Sequence, residues 1–415
     1  MRTLSLLLVL SACSTGYKPD PNRVARTVTS ADGDIGVVVA GQQQTAWELY
    51  AALSEGHDDN VFFSPFSVTS ALGMTLAGAE GQTATEMSDV LHVDLAEAAW
   101  HTALGELTQD LSGDKARAYR LDIANRLFGQ SDFAWAQPFL DVCSEDYGAP
   151  FEPWDFRADP EGGRERVNTW VEEMTQDRIT DLLPPGSVTS DTRLVLANAI
   201  YFLADWASAF DRNDTTDAAF HKLDGSTVQA PMMTLNTEDL DEHQVQAGLI
   251  ELGYVVKLPY QDHEVSMVLV VPRELDGLPD VEAALSAETF RSWLAALETT
   301  DATVRLPRFE IEHEVDLVPV LAALGMPSAF DSLTADFTGM ISPEQDADLY
   351  IDGVYHKAFI KVDEVGTEAA AATGVVVNDE SASMFYVAAD RPFLFVIRDE
   401  LTGALLFVGR VMDPS

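Results

Sequence analysis

The sequence predicts an α+β fold for one large domain. Helix-like patterns come early in the chain and strand-like runs dominate later, which is typical of an α+β arrangement and not of alternating βαβ units. The apolar pattern stays dense from Gln42 to Met412, and no internal repeat or second linker interrupts it. With 47% hydrophobic residues among 415, the chain can bury a substantial core.

Four stretches have the helical spacing of apolar residues. Residues 67–77 follow Ser64-Pro65 and place Val68 and Leu72 on one face. Residues 83–91 open with the sequence TATE, a capping-box pattern that favours a helix start. The predicted helices are residues 46–53, 67–77, 83–91 and 166–179.

Strands are predicted where short apolar runs, many of them rich in β-branched residues, occur between turn signals. These runs are residues 194–203, 265–271, 302–306, 359–362, 393–398 and 404–411. Most of them lie in the second half of the chain, which completes the order of helices first and strands later.

The N-terminus has the features of an export signal. Met1-Arg2 precedes an apolar run over residues 4–10, far shorter than the ~20 residues that a membrane span needs. Residues 10–13 (LSAC) resemble the lipobox of bacterial lipoproteins. This resemblance implies that residues 1–12 are removed and that Cys13 carries a lipid, with residues 13–41 as a tether to the cell envelope. The alternative is an ordinary signal peptide cut near Ala12, and secretion.

Cys143 is the other cysteine of the sequence, so no internal disulfide is expected. It ends the stretch FLDVC (residues 139–143), which has the composition of a packed helix face. A buried and inert thiol is therefore predicted.

The chain is strongly acidic, with 68 Asp and Glu against 25 Lys and Arg and a net charge of −43. Such a surface is expected to repel nucleic acid and heparin. Adaptation to high salt and a generally acidic set of host proteins would both explain this composition.

The sequence contains no nucleophile elbow, no phosphate loop and no His-Glu-x-x-His zinc motif. Residues 211–217 (DRNDTTD) resemble the start of a calcium loop, but the required Gly is missing and Lys222 stands where a Glu is needed. The sequence therefore predicts that the chain is not an enzyme and has no metal site and no cofactor.

The most informative segment runs over 28 residues from Asp363 to Asp390, between two predicted strands. Loops of this length are uncommon in compact domains and are usually functional or disordered. In a strand, side chains alternate between two faces. One alternating set, residues 367, 369, 371, 373, 375 and 377, is uncharged and small or β-branched. The loop can therefore enter a sheet as a further strand with this set facing inward.

Within this segment, residues 364–373 (EVGTEAAAAT) resemble the reactive-loop hinge of inhibitory serpins. Other stretches resemble further parts of the family in the same order: residues 60–67, 78–87, 167–183, 196–206, 306–309, 349–361 and 391–411. The resemblance covers residues 42–415, which are taken as the serpin domain. It implies three β-sheets, about nine helices and an exposed reactive loop at about 364–390 above a large sheet A.

The resemblance also implies a mechanism. A serine protease attacks the loop and forms an acyl-enzyme, and the cleaved loop then inserts into sheet A before the protease can deacylate. Serpin loop insertion is an established example of strand addition and of the release of stored strain. The implied partner is a serine protease in a covalent complex with a monomeric inhibitor.

Site roles follow from the resemblance, residue by residue. The implied hinge residues are Glu364, Gly366, Thr367, Glu368, Ala369, Ala370, Ala371 and Ala372. Gly366 is expected to supply φ freedom, and Arg308 is a candidate ion-pair partner of Glu364. The implied polar shutter beneath the inserting strand consists of Ser64, Ser67, Asn198 and His356. The implied breach, where insertion begins, contains Trp206.

Two ways of counting place the reactive bond. Counting from Glu364 gives Glu380–Ser381, and counting back from Pro392 gives Ser381–Ala382. Glu380–Ser381 is favoured, with other bait residues open at Asp379, Val377 and residues 384–385.

The target class follows from the charges of the loop. No Lys or Arg lies between Val365 and Asp390, and a trypsin-like protease needs a cation for its specificity pocket. Glutamate-specific, elastase-like or subtilisin-like proteases are therefore expected. The alternatives are a non-inhibitory serpin that acts as a binding or structural module, and cross-class inhibition of a cysteine protease.

Overall fold

The computed structural model describes residues 33–112, 117–237, 245–345, 347–367 and 385–415. These residues form nine α-helices and three β-sheets. The predicted α+β class and the expected three sheets with about nine helices are confirmed. No helix within the described ranges is long and apolar enough to cross a membrane.

The helices lie mainly in the first half of the chain. They are α1 Gly33–Ser54, α2 Pro65–Leu76, α3 Gly81–Val90, α4 Glu97–Leu111, α5 Gln137–Glu145, α6 Pro160–Met174, α7 Leu278–Ala284, α8 Ala287–Leu294 and α9 Val318–Leu324.

The predicted tether and the helix predicted at 166–179 have boundaries that differ from the structure. Helix α1 begins at Gly33 and buries Val38 and Val39, so the proposed tether of residues 13–41 extends too far into the domain. Helix α6 begins and ends several residues before the predicted stretch 166–179. Asp159 caps its N-terminus by accepting a hydrogen bond from the Gly162 amide, and Pro160 occupies the first turn.

Sheet A has six strands. In spatial order they are β12 Phe309–Asp316, β13 Tyr355–Val362, β14 Gly366–Thr367, β4 Leu194–Asp205, β2 Tyr119–Gln130 and β3 Phe151–Trp154. Helix α2 contacts β4 of this sheet and also a strand of the second sheet, so it lies between the two.

Sheet B has seven strands and sheet C has four. Sheet B contains β1 Val61–Phe63, β17 Leu405–Val411, β16 Phe393–Asp399, β9 Val265–Pro272, β8 Gly253–Pro259, β7 Gln246–Ile250 and β10 Glu298–Thr299. Sheet C contains β15 Phe385–Ala388, β11 Ala302–Pro307, β6 Thr227–Asn236 and β5 Thr216–His221. Every residue of β9 and of β17 is buried, as their nearly unbroken apolar sequences predict.

Cys143 lies on α5 and is fully buried. Burial, with the nearby Asp146 carboxylate, raises the pKa of its thiol to about 12. The predicted burial is confirmed, and because the thiolate is the reactive form, we expect this thiol to be inert.

Candidate functional site

Among the described residues, sheet A has only one short strand between β13 and β4. The short strand β14 pairs antiparallel with both of them, with Thr367 opposite Val362 on one side and opposite Ala204 on the other. β13 and β4 therefore run parallel to each other. Below Thr367, no described strand lies between their facing edges. We call this space the slot.

Gly366 is required because the backbones approach closely at the top of the slot. A Cβ atom at this position would lie 2.0 Å from the carbonyl oxygen of Ala204 and 2.7 Å from the Cα of Asp205. Gly366 does not have a positive φ. In this conformation the absence of a side chain is what the position needs, and the predicted role in φ freedom stays a prediction.

The Glu364 side chain is held by an ion pair beside the slot. It is 1% exposed and accepts a hydrogen bond of 2.7 Å from Nε of Arg308 and one of 2.5 Å from the hydroxyl of Thr215. Burial raises the pKa of the Glu364 carboxyl, but the hydrogen bonds from Arg308 and Thr215 outweigh it, and the pKa lies below its usual value. The expected pairing of Glu364 with Arg308 is present. The acidic stretch around residues 211–217 contributes Thr215 to this contact.

Trp206 and Tyr260 contact the two ends of the segment Asp363–Thr367. The indole of Trp206 stacks on the ring of Tyr260 with centroids 4.5 Å apart, and its N–H donates to the carbonyl of Asp363 at 2.9 Å. The Tyr260 hydroxyl lies 2.6 Å from the buried hydroxyl of Thr367. The position of Trp206 fits the implied breach. Tyr260 was missed, because nothing in the sequence links it to a partner 107 residues away.

The four implied shutter residues meet beneath the slot. Ser64 caps α2 and donates its backbone N–H to Nε2 of His356 at 3.1 Å. Ser67 donates its hydroxyl to the side-chain oxygen of Asn198. Asn198 in turn donates to Asn125 of β2 at 2.6 Å, a residue that the sequence did not indicate. The network therefore joins α2 to β13, β4 and β2.

His356 of the shutter is neutral. It is 7% exposed and its Nε2 accepts a hydrogen bond, so it carries no proton on that nitrogen. Burial, with the nearby His313, lowers its pKa to about 3. In the unfolded chain this His has a pKa of about 6.5 and binds a proton below that pH, whereas the folded His356 stays neutral.

We therefore expect the free energy of unfolding to fall as the pH drops below about 6.5, by at most about 1.4 kcal/mol per pH unit for this residue. Substitution His356→Gln keeps an acceptor for Ser64. It should remove the uptake of about one proton on unfolding, so the free energy of unfolding should fall less with pH. The measurement is the urea midpoint at pH 7, 6 and 5, with the exposed His263→Asn as control. An unchanged slope for His356→Gln would contradict the expectation.

The lower part of the slot opens into a cavity of about 690 Å³. The first residues of β4, the segment that leads into β13 and the inner face of α2 line it, and Ser67, Asn198 and His356 are among its walls. The space at the shutter is therefore continuous with the open edges of the two strands.

Several predicted residues lie outside the described ranges. They are Cys13, Glu368, Ala369, Ala370, Ala371, Ala372, Glu380 and Ser381. Among the described residues, no group of three or more His, Cys, Asp or Glu is arranged to hold a metal ion.

Three β-sheets and nine helices, with only the short β14 between β13 and β4 of sheet A among the described residues, define the class of fold. Known proteins agree with this class. The serpin family model, described as serine protease inhibitor, matches residues 40–414. A leukocyte elastase inhibitor from Xenopus tropicalis is 37% identical over 377 residues, which cover 89% of this chain and 97% of the relative. The chain therefore belongs to the serpin family.

Two solved structures of ovalbumin, one uncleaved and one cleaved with its loop inserted, both superpose on this chain. Uncleaved ovalbumin superposes with a TM-score of 0.81 at 28% identity, covering 91% of this chain and 100% of that one. A loop-inserted structure of a cleaved ovalbumin mutant gives a TM-score of 0.81 at 26% identity, with the same coverage.

The prediction that the chain is not an enzyme needs correction. Its relatives include protease inhibitors, and inhibitory serpins act as suicide substrates. Such a protein enters the reaction of a protease as a covalent participant. The absence of catalytic motifs from the sequence therefore does not describe the chemistry of such a protein.

Proposed function

We propose that the chain is a single-use inhibitor of serine proteases that traps its target by inserting the cleaved loop into the slot. The observation that carries this proposal is β14, which already occupies the top of the slot and pairs with both flanking strands. Relatives that include leukocyte elastase inhibitors support protease inhibition of the serpin type.

The register of β14 indicates where an inserted loop would lie. If the loop continued this register, residue 369 would lie between Phe202 and Ile360, both of which are buried. The same register would place Thr373 between Asn198 and His356, where its hydroxyl would meet the polar groups of the shutter. After such an insertion the small, uncharged set of loop positions would face the core, as Thr367 already does at 2% exposure.

The one charged position near the start of the loop falls on the other face. The same register places Glu368 between Leu203 and Lys361, and the Lys361 side chain is 46% exposed. Glu368 would thus remain at the surface beside a cation. Insertion leaves no charge from residues 367–377 inside the sheet.

The expected targets are glutamate-specific, elastase-like or subtilisin-like proteases, cleaving at Glu380–Ser381. The absence of Lys and Arg between Val365 and Asp390 supports this choice. A lipid on Cys13, export and the monomeric state stay predictions.

The test is to incubate residues 14–415 with a glutamate-specific protease, leukocyte elastase, subtilisin and trypsin. We expect an SDS-stable complex with at least one of the first three, and release of a C-terminal peptide that starts at Ser381. Trypsin should form no stable complex at near-equimolar ratio. Cleavage within the loop by every protease without any complex would contradict the proposal and favour a non-inhibitory serpin.

A further inference from the structure

Two carboxylates lie on either side of Gly366 at the top of the slot. Gly366 is opposite Asp205 of β4 on one side, and on the other its carbonyl accepts a hydrogen bond of 3.0 Å from the Asp363 amide. Thr367 faces the core at 2% exposure, so position 366 and its two lateral neighbours lie on the outer side of sheet A. Because Gly366 has no side chain, it places no side-chain atom between Asp205 and Asp363.

The Asp205 carboxylate is buried and lacks a partner for one of its oxygens. The residue is 7% exposed, and its Oδ1 forms no hydrogen bond within the part of the chain that the structure describes. The next residue packs against the same turn, where the Trp206 amide donates to the Val365 carbonyl at 2.7 Å. An unsatisfied oxygen at such a position is costly when the carboxyl is charged.

The second carboxylate is held in place by the backbone of the turn. Oδ1 of Asp363 accepts a hydrogen bond of 2.9 Å from the Val365 amide. Burial and, as the second cause, the charge of Asp363 raise the pKa of the Asp205 carboxyl above its usual value. The two carboxylates therefore interact, and Asp205 binds a proton more readily than an exposed Asp does.

No cation is left over for this pair among the described residues around it. The charged and titratable groups on the neighbouring elements are bonded elsewhere: Arg308 to Glu364, Lys361 to Glu310, Arg117 to Glu264, and the Tyr260 hydroxyl to Thr367. When Asp205 is ionised, two negative charges thus act on each other across Gly366.

The repulsion acts on the strands that carry the two carboxylates. Neighbouring strands lie about 4.8 Å apart, so β4 and the end of β13 are about 10 Å apart while β14 lies between them. Closing the sheet at this point would bring Asp205 and Asp363 about 5 Å nearer, which increases their repulsion. The ionised pair therefore keeps the two strands apart where the loop enters, and a proton on Asp205 removes this effect.

We propose that Asp205 and Asp363 form a proton-sensitive brace, which holds β4 and β13 apart at the top of the slot and speeds insertion of the cleaved loop. Its effect on insertion rests on the proposed function, whereas the repulsion belongs to the native chain alone. Asp205 is a positioning residue in this role, because it acts through the spacing of two strands. The brace lowers the stability of the native state at neutral pH and does so less in acid.

The first experiment measures the urea midpoint of residues 14–415 at pH 7, 6, 5 and 4. It compares the wild type with Asp205→Asn, Asp363→Asn and the double variant. Asparagine keeps the shape of each side chain and, at position 363, an oxygen that accepts from the Val365 amide. The matched control is Asp217→Asn on β5, which removes the same charge from an exposed site.

We expect Asp205→Asn to raise the urea midpoint at pH 7 by about 0.3–0.5 M. The gain should shrink as the pH falls, because a carboxyl with a raised pKa is protonated first in the folded state and in both states below about pH 3.9. The double variant should match Asp205→Asn alone, since each single change removes the same repulsion. Asp217→Asn should shift the midpoint by less than about 0.2 M. Additive gains, or a gain that does not depend on pH, would overturn the brace.

The second experiment tests insertion at pH 7 with leukocyte elastase, subtilisin and a glutamate-specific protease. It measures the partition ratio, which is the number of chains cleaved without trapping for each chain that traps the protease. We expect Asp205→Asn to raise this ratio about threefold, which corresponds to an insertion barrier higher by about 0.6 kcal/mol, and Asp217→Asn to leave it unchanged. An unchanged ratio for Asp205→Asn would overturn the role in insertion. If the wild-type chain traps none of the three proteases, the proposed function fails, and the urea series still decides whether the brace exists.

Discussion

Substitution Ala369→Arg is expected to turn the protein from an inhibitor into a substrate. If the inserted loop continued the register of β14, residue 369 would lie between the buried side chains of Phe202 and Ile360. A guanidinium there would lose its hydration without a partner, which costs several kcal/mol and slows insertion. The protease would then complete its own deacylation before it is trapped.

The readout is the stoichiometry of inhibition, measured on the protease that the wild-type chain traps. We expect it to rise at least about tenfold for Ala369→Arg, with cleaved inhibitor as the main product. The matched control is Glu368→Arg, one position earlier, which introduces the same side chain on the outer face beside Lys361. Like charges at an exposed site cost about 0.5 kcal/mol, so trapping should persist. Equal behaviour of the two variants would contradict the register.

Substitution Arg308→Ala is expected to destabilise the native state by about 2–3 kcal/mol. It leaves the Glu364 carboxylate, 1% exposed, with Thr215 but without its cation. Removing one partner of a fully buried ion pair destabilises a protein more than this. Here the Arg308 side chain is 42% exposed, so water screens the pair in part.

The pH dependence distinguishes this effect from lost packing. The pKa of Glu364 lies below its usual value, so the pair stabilises the folded state above about pH 4.5 and less as the pH falls below it. The difference between wild type and Arg308→Ala in the urea midpoint should therefore be largest at pH 7 and shrink below about pH 4.5. The control is Lys361→Ala, which breaks an exposed pair with Glu310 and should cost under about 1 kcal/mol. A difference that stays constant with pH would mean that packing is responsible.

Strands made mostly of apolar residues could be predicted, and strands in which charged residues alternate with apolar ones could not. The predicted run 194–203 corresponds to β4, and 265–271 corresponds to β9. β2 was missed because Arg120, Asp122 and Arg126 interrupt its sequence. In the structure these side chains lie at the surface in ion pairs, while alternate positions such as Leu121 are buried.

The candidate site could be predicted where the family motif is local. The hinge and its alternating small residues are contiguous, so the sequence showed them directly. The contacts of Thr215 and Tyr260 with the hinge join residues more than 100 positions apart, and each depends on how sheet A meets another sheet. The reason for Gly366 is the approach of the Ala204 backbone, which spacing and composition do not contain.

The burial of Cys143 has a practical consequence for following the loop. In residues 14–415 it is the single cysteine, and its thiol stays protonated in the native state at neutral pH. A cysteine introduced at an exposed position would then be the one site that a maleimide dye modifies. Single-dye labelling therefore needs no cysteine-free background, and a fluorophore near the loop can report its movement in real time.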